Sequence, residues 1–502
     1  MKAIQTNHPL PPLTKAEELW LYCALDCCVT SEVLTKIRPQ LDNLTRSTYE
    51  FSKALQAPVL EMRLRGVLID AEQRNKVVAD LRANMSRMAR NLDRLIGEGI
   101  GVPDLNWRSP KQLMRLFYHV LGIPTIRKRN AAGLYAPTVN RDALEQLDNY
   151  FLAQPLVSHI LGLRDLGKKV EFLETGIDPD GRIRTSYNIA GTSTGRFASS
   201  SFDFGTGTNL QNVEDRLRSV FVADQGCKFA YIDLEQAESR AVGAIEWNLF
   251  HDGKYLNACE SGDLHTSVAR LAWPHLHWTG RLAEDKAVAE QPYYRQHSYR
   301  HMAKVLGHGT NYLGKPTTMA KHTHIDAKDI ASFQFAYFSA FPAHRAWHRN
   351  VAAQIAEYGN LISLSGRRRY FLGRRNDDAT IREAVAFDPQ CTVSDILNRG
   401  MLQVWRLGIC QLLLQVHDAI LVQYPEEQEN EILPKLLRGI LAPIELKHGR
   451  TLVIPSEASV GWNWAKASKS NPDGLLKWSG NDQRRRGRKA PTELDLILCA
   501  AD

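Results

Sequence analysis

The sequence contains no run of eighteen apolar residues, so no segment reads as a membrane-spanning helix. Its opening stretch, residues 1–18, lacks the apolar core of a secretion signal and the Arg- and Ser-rich character of a transit peptide. The expected compartment is therefore the cytoplasm. Cysteine is sparse. Cys23, Cys27, Cys28, Cys227, Cys259, Cys391, Cys410 and Cys499 include no Cys-x-x-Cys pair, which argues against zinc and dithiol motifs. Reduced thiols are expected. There is no internal repeat and no long low-complexity segment.

What is present is ordinary for a large globular protein: 502 residues, 44% hydrophobic and 24% charged, enough for about three domains. The net charge of +8 suits a polyanionic partner without specifying one. Asp70 and Gln73 form a cap signal before Val77, Val78, Leu81, Met85, Met88, Leu92 and Ile96, which recur at helical spacing. Arg82, Arg87, Arg90 and Arg94 fill the rest of that helix, either as a solvated face or as a strip for a phosphate backbone. Ser109, Pro110 and Gln112 read as a cap, a first-turn proline and a capping-box partner for a helix ending near Gly122. From about residue 180, β-rich runs at 229–232, 412–416 and 420–423 bracket a helical middle at about 239–360, an α+β arrangement. Arg484, Arg485, Arg486, Arg488 and Lys489 mark a basic C-terminal tail.

Three segments carry chemistry. At 229–240 an apolar strand ends in Asp233, followed by Glu235, Glu238 and Arg240 as a helix begins. A carboxylate at a strand end can hold a hard cation such as magnesium. At 412–422 two apolar runs flank His417-Asp418, which reads as a hairpin with the acid at its tip. A carboxylate between apolar strands is costly unless something compensates it. If the two acids converge on adjacent strands, they suit a pair of metal ions about 4 Å apart that clamp a phosphoryl group. Between them, Arg300, Lys304, His308 and Tyr312 recur every fourth residue and would share one helix face. That face would offer charge to a triphosphate and a flat surface to a base, or else be simply a solvated cationic face.

In this order the segments resemble motifs A, B and C of the family A, DNA polymerase I-like, DNA polymerases. Further stretches agree: 192–200 and 209–212, separated by an insertion at 201–208; Arg218 and Phe221; Asp263 with His265; 390–395; and 63–70. The resemblance runs from about residue 55 to 465. It implies a right-hand polymerase fold with an antiparallel palm sheet, helical fingers and a helical thumb. The expected boundaries are an exonuclease-domain remnant at 1–45, thumb at 46–180, palm at 181–240 and 385–462, fingers at 241–384, and the tail at 463–502.

The resemblance also implies roles. Asp233 and Asp418, with the backbone carbonyl of Leu234, would hold two Mg2+ ions, with Mn2+ as a substitute. Lys304 would act in catalysis and, with Arg300, His265, Gln236, Glu238, His308 and Tyr312, bind the incoming dNTP. Glu238 would be the gate against a 2′-hydroxyl. Arg196, Asn209, Gln211, Gln390 and His417 would contact primer-template DNA, reading acceptors that all correct pairs share in the minor groove.

Four positions depart from the pattern: His308 replaces Phe or Tyr, Leu313 a Gly, Ala419 a Glu, and Glu235 a Ser. Glu235 either replaces the acid lost at 419 or is solvated. The expected function is template-directed, two-metal primer extension. The alternatives are a single-subunit RNA polymerase, opposed by Glu238, and a non-catalytic DNA-binding subunit, opposed by the retained acids and cations. Tyr22 and Asp26 resemble the last motif of a 3′–5′ exonuclease, without room upstream for the others. The stretch 16–40 is then either a packed relic helix or the docking point of a separately encoded exonuclease subunit.

Overall fold

The computed structural model describes residues 13–102, 104–130, 133–202, 207–294 and 297–480. The chain's opening stretch to residue 12, part of the 201–208 insertion and the basic tail at 484–489 lie outside the described residues. The chain forms two compact units, Ala57–Ser267 with Val393–Asp502, and Met1–Gln56 with Val268–Thr392.

The first unit is built on a five-stranded sheet. Its strands are Cys227–Leu234 (β1), Gln411–Val416 (β2), Ala419–Pro425 (β3), Ser456–Gly461 (β4) and Leu476–Lys477 (β5), in the order β2-β3-β1-β4-β5. All neighbouring pairs are antiparallel. The central strand alternates as a half-covered strand should. Lys228, Ala230 and Ile232 are buried on one face, while Tyr231 and Asp233 are only partly covered on the other. Lys228, 1% exposed, needs compensation and has it. Its ammonium lies 2.7 Å from the Glu429 carboxylate and 4.6 Å from the Trp462 ring centroid, and the Tyr424 hydroxyl donates to the same carboxylate.

The helix Ala71–Ile100 joins two cores of this unit. Its N-terminal half (Val77, Val78, Leu81) packs on the sheet core around Phe221, Phe229, Leu414 and Trp464. Its C-terminal half (Met85, Met88, Leu92, Ile96) packs on a helical core around Phe117, Leu144, Ile160 and Leu163. The predicted stripe is thus one continuous contact face shared between two cores. Asp70 caps the helix by accepting the Gln73 N–H at 2.9 Å, as expected. At Gly162 on the facing helix Gln154–Leu173, a Cβ would meet the end of the Met88 side chain at 2.7 Å, so the two helices pack closely there. Arg82 pairs with Glu174 and Arg87 bonds the Asn84 side chain at 2.7 Å.

Ser109 caps Pro110–Met114 as predicted, but Gln112 does not complete a capping box. Its carbonyl oxygen instead accepts the N–H of Asn106 at 2.7 Å. Beyond Met114 the helix widens into a π-helical turn, Arg115–Val120, before Gly122 ends it with φ of +63°.

The second unit is mainly helical. Its helices include Tyr299–Asn311, Ala327–Ala340 and Ala343–Tyr358, and in an aromatic cluster Trp273, Tyr293, Tyr299 and Phe333 meet at centroid distances of 4.8–5.9 Å. Asp42 caps Asn43–Ala54 and pairs with Arg368 at 2.7 Å. The helix Lys15–Ile37 starts on a full capping box between Thr14 and Glu17. Reading this stretch as a packed helix is only half right: the helix is there, but none of its residues is buried. Leu19, Trp20, Val29 and Ile37 are all at least half exposed, Trp20 at 68%.

Candidate active site

The acids at the strand end and the hairpin tip are brought together by register. Ala419 on β3 stands opposite Asp233 on β1, so Asp418, one residue earlier, sits beside Asp233 at the same end of the sheet. The Leu234 N–H donates to the Asp418 carbonyl at 3.2 Å, locking the hairpin to the end of β1. The turn is the two-residue pair His417-Asp418, with His417 at a left-handed φ of +52°. On β4, Glu457 is the opposite neighbour of Asp233, so the sheet presents two acids side by side on one face.

Arg196 neutralises part of this charge. Its guanidinium lies 2.5 Å from Glu238 and 3.7 Å from Asp418. It is delivered by the loop between Ser186–Asn188 and Ala198–Ser200, where Gly195 adopts φ of +78°. The buried Asn398 amide donates to the Gly195 carbonyl at 3.2 Å, and the Thr192 hydroxyl to the Arg196 carbonyl at 2.7 Å. The gate candidate Glu238 is thus held in place by the arginine expected to read the primer.

The helix Ala237–Phe250 begins at Gln236, another left-handed residue, with φ of +52°. The Gln236 amide nitrogen donates to Gly262 at 3.1 Å, while its buried amide oxygen meets no donor among the described residues. This bond ties the corner after β1 to the turn before Leu264–Ala272, where Asp263 accepts the His265 N–H at 3.1 Å. Glu235 is half-buried, and its N–H donates to the Pro455 carbonyl at 2.8 Å.

A buried polar network that the motifs did not indicate lies beneath His417. The Gln415 amide donates to the His417 carbonyl at 2.7 Å, and the Gln211 amide donates to Gln415 at 2.8 Å. The Tyr187 hydroxyl donates to the Gln415 carbonyl at 3.0 Å and accepts its N–H at 3.1 Å. Burial pushes that phenol's pKa up. The Gln211 side chain is therefore engaged in supporting the hairpin, and the Asn209 side chain in accepting the Gln211 N–H at 2.9 Å. One sequence cue for the network was available: Gln415 is the polar residue inside an otherwise apolar strand.

The remaining predicted residues lie in the second unit. On Tyr299–Asn311, Met302, Ala303, Leu306, Gly307 and Thr310 are buried, whereas Lys304 and His308 are exposed and Arg300 is half-buried. Arg300 lies 3.6 Å from Glu290, and the His308 and Tyr312 rings meet edge-on at 4.9 Å. The helix face read from the sequence is therefore real, and its opposite side is core. Leu313 adopts φ of +58°, the left-handed region where a glycine would be unstrained and a leucine costs about 1 kcal/mol. Gln390 is half-buried on Asp378–Leu407.

The C-terminal end of the Tyr299–Asn311 helix is fastened from two sides. The Tyr337 hydroxyl donates to the Asn311 side chain and the His348 Nε2–H to the Asn311 carbonyl, both at 2.8 Å. A carbonyl can only accept, so this bond fixes the His348 tautomer.

The antiparallel sheet thus carries paired acids at one end, beside Arg196 and a further carboxylate, Glu238. The sequence model described as DNA polymerase family A matches residues 72–466, and the chain belongs to that family. It is 27% identical over 448 residues to the thermostable DNA polymerase I of Thermus filiformis, covering 84% of this chain and 48% of that protein. It is 28% identical over 478 residues to DNA polymerase I of Pseudomonas aeruginosa, covering 90% and 48%. The chain thus spans about half the length of the curated relatives it matches. Among solved structures, the POL domain of Pol1 from M. smegmatis, in complex with DNA primer-template and dNTP, shares the fold with a TM-score of 0.66 at 24% identity, covering 82% of this chain and 69% of that one.

Burial lowers the His348 pKa from its ordinary value to about 4, and neighbouring His344 adds to the effect. The unfolded chain gains a proton near pH 6.5 while the folded one resists until about 4, so stability is lost as pH falls through that window. Half-buried Asp388, pushed up to about 6 by desolvation, slopes the opposite way between about pH 4 and 6, so the comparison must be made against a variant. In chemical unfolding, the stability advantage of wild type over His348→Gln should shrink from pH 6.5 towards 4, by at most about 1.4 kcal/mol per pH unit. Parallel curves would show that the imidazole stays unprotonated in both states or protonates equally.

Proposed function

We propose that this chain catalyses template-directed extension of a DNA primer with deoxynucleoside triphosphates. The observation that carries the reading is the β1–β3 register that sets Asp418 beside Asp233. Among the described residues no group of three or more His, Cys, Asp or Glu forms a metal cage. That fits magnesium, which binds through one or two carboxylates and completes its shell with water and substrate phosphates. Asp233, Asp418 and the Leu234 carbonyl would hold it, and Mn2+ would fit the same oxygen donors. Such ions supply Lewis-acid activation of the primer hydroxyl and charge neutralisation on the triphosphate.

The chain's own side chains do the positioning. Arg300 and Lys304 offer cations to the triphosphate, and Lys304 can give a proton to the leaving pyrophosphate. His265 and Gln236 border the nucleotide, and His308 and Tyr312 present rings to its base. Arg196, His417 and Gln390 contact the primer terminus and its base pair, with Asn209 and Gln211 supporting them. In these terms thumb, palm and fingers correspond to 46–180, to 181–240 with 385–462, and to 241–384. The Ala71–Ile100 helix packs on both the helical core of the proposed thumb and the sheet core of the proposed palm, which supports grouping most of the two segments in the unit Ala57–Ser267 with Val393–Asp502, a unit that also takes in 241–267. No helix among the described residues is long and apolar enough to cross a membrane. Primer extension would take place in the cytoplasm.

Asp233→Asn and Asp418→Asn should each slow single-turnover incorporation by several orders of magnitude while primer-template binding stays near wild type, because each removes a metal ligand and not a phosphate contact. Incorporation within tenfold of wild type in either variant rules out the pair.

Glu238→Ala should raise ribonucleotide use relative to dNTP. Arg196 holds the Glu238 carboxylate at 2.5 Å, where it would crowd a 2′-hydroxyl on the incoming sugar. Equal kcat/KM ratios for the two sugars before and after substitution would place the gate elsewhere.

The uncovered Lys15–Ile37 helix supports a partner at that end. Tyr22 and Asp26, one turn apart, lie near Leu25, Val29 and Val33 on its surface, so a separately encoded 3′–5′ exonuclease polypeptide would cover acid and apolar residues together. The purified 502-residue chain should extend matched primers yet leave a mismatched 3′ end unexcised. Excision that is lost with Asp26→Ala would reverse this assignment.

A further inference from the structure

The family match stops at Lys466, but the described chain continues, and residues 467–480 fold back onto the sheet. The Leu475 N–H donates to the Ala465 carbonyl at 2.6 Å and the Trp478 N–H to Ala458 at 2.9 Å. β5 is formed by this segment, with Lys477 opposite Ser459 on β4. At Gly461 a Cβ would meet the Gly474 carbonyl oxygen at 2.5 Å, so the two backbones are in direct contact. The extension is thus a built part of the palm.

Between it and the sheet lies a cleft of about 290 Å³, lined by Asp215, Arg218, Tyr231, Trp464, Lys466 and Lys477 among others. Tyr231 precedes Asp233 by two residues on β1, and Ser459 follows Glu457 by two on β4, so cleft and acids share one face of the sheet. By strand rise they are about 7 Å apart. Burial, with the charge of Asp233 next, pushes the Tyr231 phenol up to about 12, in keeping with this proximity.

Three cations line the cleft against one acid. Arg218 is engaged by Asp215 at 3.0 Å and stacks 4.5 Å over the Trp464 ring. Lys466 is exposed, and Lys477 is paired with Glu457 in an exposed bridge of the kind that exchanges readily for a better anion. The buried indole N–H of Trp464 has no acceptor among the described residues.

We propose that this cleft binds a backbone phosphate of the bound duplex, on the primer strand upstream of its 3′ end, through Lys466 and Lys477. The proposal rests on the polymerase reading. With the primer terminus at Asp233 and Asp418, the phosphates nearest the cleft belong to that same strand. Free phosphate or pyrophosphate offers the same oxyanion, so the test separates them.

Primer-template Kd would be measured across a salt series for Lys466→Ala, Lys477→Ala, the double variant, Lys477→Arg and Lys469→Ala. Lys469 lies on the same extension but does not line the cleft. The double variant should weaken binding about fivefold and flatten the log–log salt slope by about 0.9, the value for one phosphate, and each single cleft alanine should give part of both changes. Lys477→Arg and Lys469→Ala should leave both near wild type, with thermal unfolding reporting on folding. Neutral methylphosphonates scanned along each strand should reproduce the double variant's loss at one primer linkage. A wild-type slope in the double variant, an equal effect from Lys469→Ala, or a sensitive linkage on the template alone would overturn the proposal. So would variants that lose only inorganic phosphate or pyrophosphate binding. Wild-type primer extension is assayed in parallel: its failure removes the polymerase reading, whereas normal extension with an unchanged salt slope removes only this site.

Discussion

The pairing of β1 with β3 is the constraint on which the site depends. Two carboxylates at one sheet end repel each other, and a one-residue slip would turn Asp233 to the opposite face. Seven consecutive residue pairs, from Ala419 opposite Asp233 to Pro425 opposite Cys227, hold the register. The strands are buried along nearly their whole length, so a slip would expose Ile420 and Val422 or bury Tyr231 and Asp233. The apolar sheet stabilises the arrangement, and Arg196 reduces the remaining repulsion.

Beneath the acids the support is polar and largely buried. Tyr187, Gln415 and Gln211 satisfy one another and hold the His417 carbonyl, so the hairpin tip is set by directed bonds and not by loop packing alone. A comparable device operates in the second unit, where Tyr337 and His348 fix the end of Tyr299–Asn311 just before the strained Leu313. In both places a backbone residue with positive φ follows directly on a hydrogen-bonded anchor or is held by one. The strain is tolerated because the surroundings determine the conformation.

The two flanks of the family match behave differently. The Lys15–Ile37 helix is well capped but buries nothing, and most helical stability in proteins comes from packing an apolar face, which is why covering by another surface is physically reasonable. The 467–480 extension, by contrast, is bonded into the sheet and adds a strand with a lysine on the face that carries the acids.

Much of this was legible in the chain itself. Apolar runs located β1 and the β2–β3 hairpin, and helical spacing located the Ala71–Ile100 helix and the Arg300–Lys304–His308 face, because each pattern is a direct consequence of local geometry. The ordered motifs identified the family and nominated Asp233, Asp418 and Glu238. Tertiary structure alone decided the pairings between distant segments. Arg196 clasps Glu238, Gln211 turns inward to Gln415, Lys228 meets Glu429, and Lys477 reaches the row of Glu457 and Asp233. Such partners are set by strand order and by which buried charge must be compensated, and neither leaves a periodic trace in the sequence. For the same reason the apolar residues of 15–37 read as a packed helix: spacing reports that a helix forms, whereas burial depends on what stands against it.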